Sequence, residues 1–386
     1  MKLLLGGVPL GCDNIGDEAI IACVVALLRS LFPNAELTVC TKDTENTARK
    51  LNVQTAPLYG FLPAPRLDEF SQFAKQFDAY IWFGATGLSD YPDTALPLLA
   101  AARRQGVKTI VWCVGMDSQL NPAFFTVKGK KRLVLSLFGA VKWYEARLRR
   151  AVGERIRSEL SQCAFVSVRD PQSAEELKKT GLPDVVVAAD TAILQPTAPQ
   201  PPFPIDNSLE RIGFCISAQR EIAHLDQMLQ LWDDLTEAPA RRLVLLPMNP
   251  KTDKPLMWDL SREMKHPDRV ELLESDDPAV VQAAAAQCRV VVSSRLHLLI
   301  LSSNVGTPIV GVTRGSKIPN WLANFGLQDA GSVYDCDFAA IKKSVEQFIA
   351  ADSAETSKSI ATVMESLHKR LEAAAAKLKN ALLLEK

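Results

Sequence analysis

Three places along the 386-residue chain combine charged, hydroxyl and small residues at spacings that could do chemistry. The sharpest is Val290-Val291-Val292-Ser293-Ser294-Arg295-Leu296-His297, followed by an apolar run, then Gly306-Thr307-Pro308-Ile309-Val310-Gly311-Val312, Arg314 and Lys317. An apolar strand here delivers Ser294, Arg295 and His297 into the loop at its carboxyl end, where open α/β sheets keep their ligand crevices. Arginine offers a planar fork to carboxylate or phosphate, lysine a point charge, and histidine a proton near neutral pH. Between residues 278 and 328 there is no Asp or Glu, while Arg289, Arg295, Arg314 and Lys317 all fall inside. That imbalance predicts an anionic ligand, against the plainer alternatives of a solvated cationic face and a core histidine.

The second place is Gly6-Gly7-Val8-Pro9-Leu10-Gly11-Cys12-Asp13-Asn14-Ile15-Gly16-Asp17, between an apolar strand and an apolar-periodic helix. A glycine-rich turn of this kind lets backbone amides and a helix N-terminus approach an anion. The spacing is not G-x-G-x-x-G, so a dinucleotide site is not indicated, and Asp17 as a simple helix cap is the plain alternative. The third place is Ser167-Val168-Arg169-Asp170-Pro171-Gln172-Ser173 with Val187-Ala188-Ala189-Asp190 at the end of the next strand. Arg169 and Asp190 are both expected to face a crevice, while Asp170-Pro171 makes a good helix start with Pro at N1.

Positioning these residues requires parallel sheets. Apolar or β-branched runs at 2–8, 37–40, 79–83, 108–114, 165–168 and 185–188 alternate with helical patterns, notably 17–31 and 94–105, as in βαβ units. A second series follows, with strands near 211–216, 243–246, 270–272, 290–293 and 309–312. Between the series, residues 194–209 are rich in proline, which favours an extended linker. The expected organisation is therefore an N-terminal Rossmann-like domain (1–195), a linker (196–209), a C-terminal Rossmann-like domain (210–350) and a C-terminal helix (351–386), with a cleft between the halves. In the tail, Ile360, Met364, Leu367, Leu371, Leu378 and Leu382 form one stripe, which predicts a long amphipathic helix packed on the first domain or, in competition, a coiled-coil seam of a homo-oligomer.

Bulk composition narrows the class. Lys+Arg and Asp+Glu both number 44, so the chain has no basic field and nucleic-acid binding is not expected. Hydrophobic residues at 47% and charged residues at 23% fit a folded globular protein. The eight cysteines form no C-x-x-C pair and several sit in apolar runs, which predicts buried free thiols in a reducing, cytoplasmic setting with no metal site. No apolar run reaches the ~20 residues needed to span a bilayer.

Taken in order, the N-x-G-D turn (Asn14, Gly16, Asp17), the R-D-x-x-S segment (Arg169, Asp170, Ser173), the A-D strand end (Asp190), the S-R-L-H motif (Ser294 to His297) and the G-x-P-x-V-G run leading to Lys317-Ile318 resemble the polysaccharide pyruvyl transferase family. The resemblance implies a glycosyltransferase-B-like fold, phosphoenolpyruvate as donor substrate with no further cofactor, and a sugar or lipid-linked oligosaccharide as acceptor. It implies that Arg295, His297 and Lys317 serve the donor, with Arg169 beside them. Chemically, His297 is the best proton donor to the donor's methylene, and Asp17 or Asp190 could accept the acceptor's hydroxyl proton. Two stretches depart from the family pattern: Phe83-Gly84-Ala85-Thr86-Gly87-Leu88 stands where many members have three glycines, and Pro247-Met248-Asn249 where a histidine commonly follows the proline.

Two other functions fit the same architecture. One is a nucleotide-sugar glycosyltransferase, and the other a non-catalytic anion-binding protein. Finally, residues 128–157 carry ten basic residues and only Glu145 and Glu154 as acids, with apolar residues at helical steps. That pattern suits either an ordinary solvated helix or a peripheral contact with the cytoplasmic membrane surface.

Overall fold

The computed structural model describes residues 1–118, 121, 125–218 and 222–384. They form two compact α/β units. The first contains Met1–Gly11, Val24–Asp190 and Arg370–Lys386, and the second Cys12–Cys23 and Thr191–Lys369. The first helix, Ile15–Leu31, and the last, Ser353–Leu383, each contribute residues to both units.

The first unit is built on a seven-stranded sheet in the order β3-β2-β1-β4-β5-β6-β7. Its strands are β1 (Lys2–Gly6), β2 (Glu36–Thr41), β3 (Gln54–Pro57), β4 (Ala79–Phe83), β5 (Lys108–Val114), β6 (Phe165–Val168) and β7 (Val186–Val187). All neighbours are parallel. Leu3, Leu4 and Leu5 in β1 and all five residues of β4 are buried, as a sheet covered by helices on both faces requires. Sequence periodicity located β4, β5 and β6 to the residue. It passed over β3, an edge strand ending in Pro57, because Gln-Thr-Ala-Pro carries no apolar signal and proline survives in a sheet only where no ladder donor is needed.

In the second unit β8 (Glu210–Cys215), β9 (Arg241–Leu245), β10 (Val270–Leu272), β11 (Val290–Ser293) and β12 (Ile309–Gly311) form a parallel sheet ordered β10-β9-β8-β11-β12. Both sheets reverse their strand order beside their first strand, the arrangement of a Rossmann-like domain. A small antiparallel pair, β13 (Gly331–Ser332) and β14 (Asp335–Cys336), is appended to the second unit.

The proline-rich stretch expected to be a linker is held to the second unit by the helix Pro278–Ala286 and its cap. Ala198 donates to the Ala279 carbonyl at 3.0 Å, Gln282 Nε2 to Gln195 O and Thr197 Oγ1 at 2.8 Å each, and Gln287 exchanges bonds of 2.9 and 3.1 Å with Phe203. Proline removes donors here, so the glutamine amides supply the ties.

The stripe of the last helix is covered within the chain. Ile360, Met364, Leu367, Leu371, Leu378 and Leu382 are all buried. In the first unit, Lys108 Nζ at the start of β5 donates to the carbonyls of Ala381, Leu382 and Leu384 at 3.1, 3.3 and 2.6 Å, where a cation offsets the helix dipole. None of the eight cysteines is in a disulfide, and burial pushes Cys40 and Cys288 up to about 12. Such thiols are unreactive packing groups. Because Leu371 is 1% exposed, Leu371→Ala is expected to lower unfolding free energy by about 2–5 kcal/mol. The exposed neighbour change Glu372→Ala should stay within about 0.5 kcal/mol, measured by denaturant titration.

Candidate active site

The second unit gathers its charged residues where its strand order reverses, at the carboxyl ends of β8 and β11. The ladder runs to Val292 opposite Phe214 and Ser293 opposite Cys215, and Ser294 N–H adds one more bond to the Cys215 carbonyl at 3.0 Å. The chain then turns. Arg295 N–H donates to Ser293 Oγ at 2.9 Å, and Arg295 stands as the extended cap of the helix Leu296–Asn304, so His297 lies in that helix's first turn.

Arg295 is 9% exposed and therefore needs a partner. It finds Asp253, the first residue of the helix Asp253–Ser261 and itself fully buried. Nε donates to one carboxylate oxygen at 3.0 Å and Nη2 to the other at 2.7 Å. The Ala218 amide donates to the same carboxylate at 3.1 Å. Asp253 lies 42 residues upstream, outside the acid-free window, so that window does not contain the whole charge balance of the site. Of the window's other cations, Arg289 is used structurally, donating to the Ile349 and Ala351 carbonyls at 3.0 and 3.3 Å. Arg314 Nη1 donates to Ser217 Oγ at 2.8 Å, and the Ser217 amide donates to Ser294 Oγ at 2.9 Å. Ser294 thus serves as a strut between the loops after β8 and β11.

The same unit contains the start of the first helix, which begins at Ile15, two residues before the expected start. Asn14, not Asp17, caps it: Gly16 N–H donates to Asn14 Oδ1 at 3.2 Å and Asn14 Nδ2 donates to Asp17 Oδ2 at 2.7 Å. Asp17 is thereby released from capping and buried at 5% exposure. Ile15 N–H ties this turn to the Met248 carbonyl at 3.0 Å. Gly16 lies directly against the His297 ring, where a methyl group would collide with Nδ1, Cγ and Cβ.

Burial raises the Asp17 carboxyl above its ordinary 3.8, while the charges of His297, Lys317 and Arg295 and the Asn14 hydrogen bond pull the other way. Desolvation wins. Lys317 opens the helix Lys317–Leu322, close enough for its charge to act on Asp17. Six residues singled out from the sequence, Asn14, Gly16, Asp17, Arg295, His297 and Lys317, are therefore brought together in one unit, with Ser294 behind them.

Arg169 and Asp190 belong to the first unit. Arg169 follows β6 and is 6% exposed, with Nη1 3.4 Å from Asp190 Oδ2 and Nε 3.4 Å from Asp170 Oδ2. Gly115, after β5, lies flat against the guanidinium, which leaves no room for a side chain there. Asp170 caps its helix through the Ser173 amide at 2.6 Å with Pro171 at the first position, and Ser173 Oγ accepts the Met116 amide at 2.9 Å. The stretch that departs from a three-glycine pattern has left-handed backbone at both Gly84 and Ala85, with φ of 59° and 57°. Ala85 thus adopts a conformation that glycine would take without strain.

Sequence reading missed Asp253, Ser217 and Gly115. The only signal for Asp253 was the need of a buried arginine for a carboxylate, which names no position.

Two Rossmann-like α/β units and a long C-terminal helix that contributes to both define a glycosyltransferase-B-like fold. Solved structures of that fold are similar along nearly the whole chain. A UDP-GlcNAc 2-epimerase from Neisseria meningitidis bound to UDP-GlcNAc matches with a TM-score of 0.62, 16% identity and coverage of 98% of this chain and 99% of its own. The glycotransferase of kitacinnamycin matches with a TM-score of 0.61, 12% identity and 98% of each chain. The Methanocaldococcus jannaschii UDP-GlcNAc 2-epimerase in complex with UDP-GlcNAc and UDP matches with a TM-score of 0.53, 11% identity and coverage of 95% and 100%. No curated protein matches the chain in sequence. The chain belongs to the polysaccharide pyruvyl transferase family, whose sequence profile matches residues 14–316, a span running from Asn14 to just short of Lys317.

The raised Asp17 proton affinity has a defined stability consequence. A protonated Asp17 stabilises the folded state fully below about pH 4, and that contribution is lost as pH rises through its elevated folded value. Asp17→Asn, which keeps an acceptor for Asn14, should match the parent in thermal midpoint near pH 4 and exceed it increasingly toward neutral pH. A gap that stays constant or shrinks across that range overturns the assignment of Asp17 as a desolvated carboxyl.

Proposed function

We propose that the chain transfers a pyruvate group from phosphoenolpyruvate to two hydroxyls of a sugar, in a cell-surface polysaccharide or its lipid-linked precursor, forming a cyclic ketal. The observation that carries this reading is the convergence of Arg295, Lys317, His297 and a desolvated Asp17 in one unit of a family member. Phosphoenolpyruvate carries a carboxylate and an enol phosphate. The anions call for forked and point cations, and the enol double bond for a proton donor at its methylene.

In the proposed sequence Arg295, aligned by Asp253, and Lys317 hold the donor's carboxylate and phosphate. His297 delivers a proton to the methylene carbon, and the first acceptor hydroxyl bonds to the central carbon as its own proton passes to a carboxylate. The carbon–oxygen bond to phosphate then breaks, phosphate leaves with a proton, and the second hydroxyl closes the ketal with loss of its proton. Asp17 is favoured for accepting hydroxyl protons because its burial raises its basicity. Asp190 is bound up with Arg169, and that pair is assigned to substrate binding. Asn14 and Gly16 set the positions of Asp17 and His297.

The reaction is tested by incubating the protein with phosphoenolpyruvate and a panel of lipid-linked sugars. The expected products are inorganic phosphate and a sugar heavier by one pyruvate less one water, read by mass spectrometry. Release of a nucleoside diphosphate from a sugar nucleotide would identify a glycosyltransferase instead. Donor binding without turnover across the panel would identify an anion-binding protein.

Two variant series test the roles. Arg295→Ala and Lys317→Ala should each weaken phosphoenolpyruvate binding by about 1.5–3 kcal/mol in calorimetry. Since Arg295→Ala strands a buried Asp253, Arg295→Lys serves as the folded control that keeps the charge and loses the fork. Unchanged donor affinity in all three variants overturns the assignment. His297→Asn should keep most donor affinity while turnover falls by roughly two to four orders of magnitude. Near-normal turnover would return His297 to a structural role.

A further inference from the structure

We propose that the helical hairpin 128–157 of the first unit is a docking surface for an anionic lipid bilayer. No helix is long and apolar enough to cross a membrane among the described residues, so the contact is peripheral. The helices Gly129–Leu137 and Val141–Leu160 are joined by a tight turn that fixes what stands at its tip. Gly139 takes the left-handed conformation with φ of 64°. Its amide donates to Ser136 O at 3.1 Å, and the Ala140 amide to Leu135 O at 2.9 Å, a Schellman closure.

This turn leaves apolar side chains in solvent. The helix Gly129–Leu137 has no buried residue, and Leu133, Val134, Leu137, Phe138 and Trp143 are 66%, 53%, 77%, 80% and 62% exposed. Lys130, Leu133, Val134 and Leu137, at i, i+3, i+4 and i+7, share one stripe of the helix. The following helix anchors the hairpin from its far half, where Val152, Ile156 and Leu160 are buried. The apolar end is thus the end the fold does not use.

Charge selects the occupant. Ten basic residues against Glu145 and Glu154 give this stretch a net charge of +8 in a chain whose total is zero. Lys128, Lys130, Lys131, Arg132, Lys142, Arg147, Arg149 and Arg150 are all exposed. Of the two acids, Glu145 is turned inward to accept the Val127 amide at 3.3 Å. A second copy meeting this face through a two-fold axis would set like charge against like, which disfavours a homodimer here. Exposed aromatic and leucine side chains ringed by lysine and arginine suit shallow insertion beneath anionic headgroups, with each cation near the surface adding to the attraction. Within the hairpin, the Lys131 ammonium lies 3.9 Å above the Tyr144 ring and the Arg147 guanidinium 5.8 Å from the Trp143 ring centre, so cations and aromatics are presented side by side.

The test is vesicle co-sedimentation of the full chain. Phosphatidylcholine vesicles are compared with vesicles in which about a third of the lipid is phosphatidylglycerol. The parent is expected to bind only the anionic vesicles, and a Lys130→Gln, Lys131→Gln, Arg149→Gln, Arg150→Gln variant to bind them at least about tenfold more weakly at low salt. A Leu137→Ser, Phe138→Ser variant should retain low-salt binding and release at physiological salt. Brominated acyl chains should quench the fluorescence of the parent but not of Trp143→Leu. Every substituted side chain is exposed, so matching thermal midpoints check that the fold is kept. The proposal is overturned by a parent that ignores anionic vesicles, by equal binding of the four-glutamine variant, or by self-association or capture of an acidic protein through this hairpin without vesicle binding.

Discussion

A guanidinium taken out of water must be compensated, and much of the second unit is arranged around that requirement. Arg295 sits at the strand reversal, where a parallel sheet opens a crevice, and Asp253 closes on two of its nitrogens from the first turn of the helix Asp253–Ser261. The pair is costly to assemble in a low-dielectric setting, and the surrounding hydrogen bonds offset that cost: the Ala218 amide on Asp253, the Ser293 hydroxyl on the Arg295 backbone, the Ser217–Ser294 strut and Arg314 behind it. Each member holds another in place. What results is a guanidinium with a fixed plane, which is what recognition of a planar carboxylate or a phosphate edge demands.

Against that fixed cation stands a carboxyl with the opposite history. Asp17 is the third residue of a helix, a place where capping would usually keep a carboxylate ionised and wet. Here Asn14 does the capping, and Asp17 is drawn into a dry position among His297, Lys317 and Arg295. Burial at this turn raises the proton affinity of Asp17 against the pull of the neighbouring cations. Gly16 matters equally, since the imidazole occupies the space any other residue would fill.

Much of this was legible in the sequence, and the limits have physical causes. Strands buried on both faces write continuous apolar runs, so β4, β5 and β11 were located to the residue, and β-branched residues marked the partly buried β6 and β10 as well. The edge strand β3 carries no such run. The motif residues Asn14, Gly16, Asp17, Arg295, His297 and Lys317 were recognisable because each stands where a strand hands over to a helix. Asp253 was not: its role comes from a partner 42 residues away, and pairing across a fold leaves no periodic trace. The prolines of 196–209 marked the stretch between the two sheets in composition, but composition is silent on the glutamines Gln282 and Gln287 that tie it down.

The last helix carries a consequence for how the chain is made. The first unit leaves the chain at Asp190 and is completed only by residues from Arg370 onward, 180 positions later. At roughly 5–20 residues per second, translation separates the two events by about 10–40 s. During that interval the start of β5 lacks the helix end that Lys108 will hold, while the second unit is still emerging. The half that begins first is therefore the half that finishes last, and the nascent first sheet must wait with part of its surface open, within reach of chaperones, until the final helix closes it.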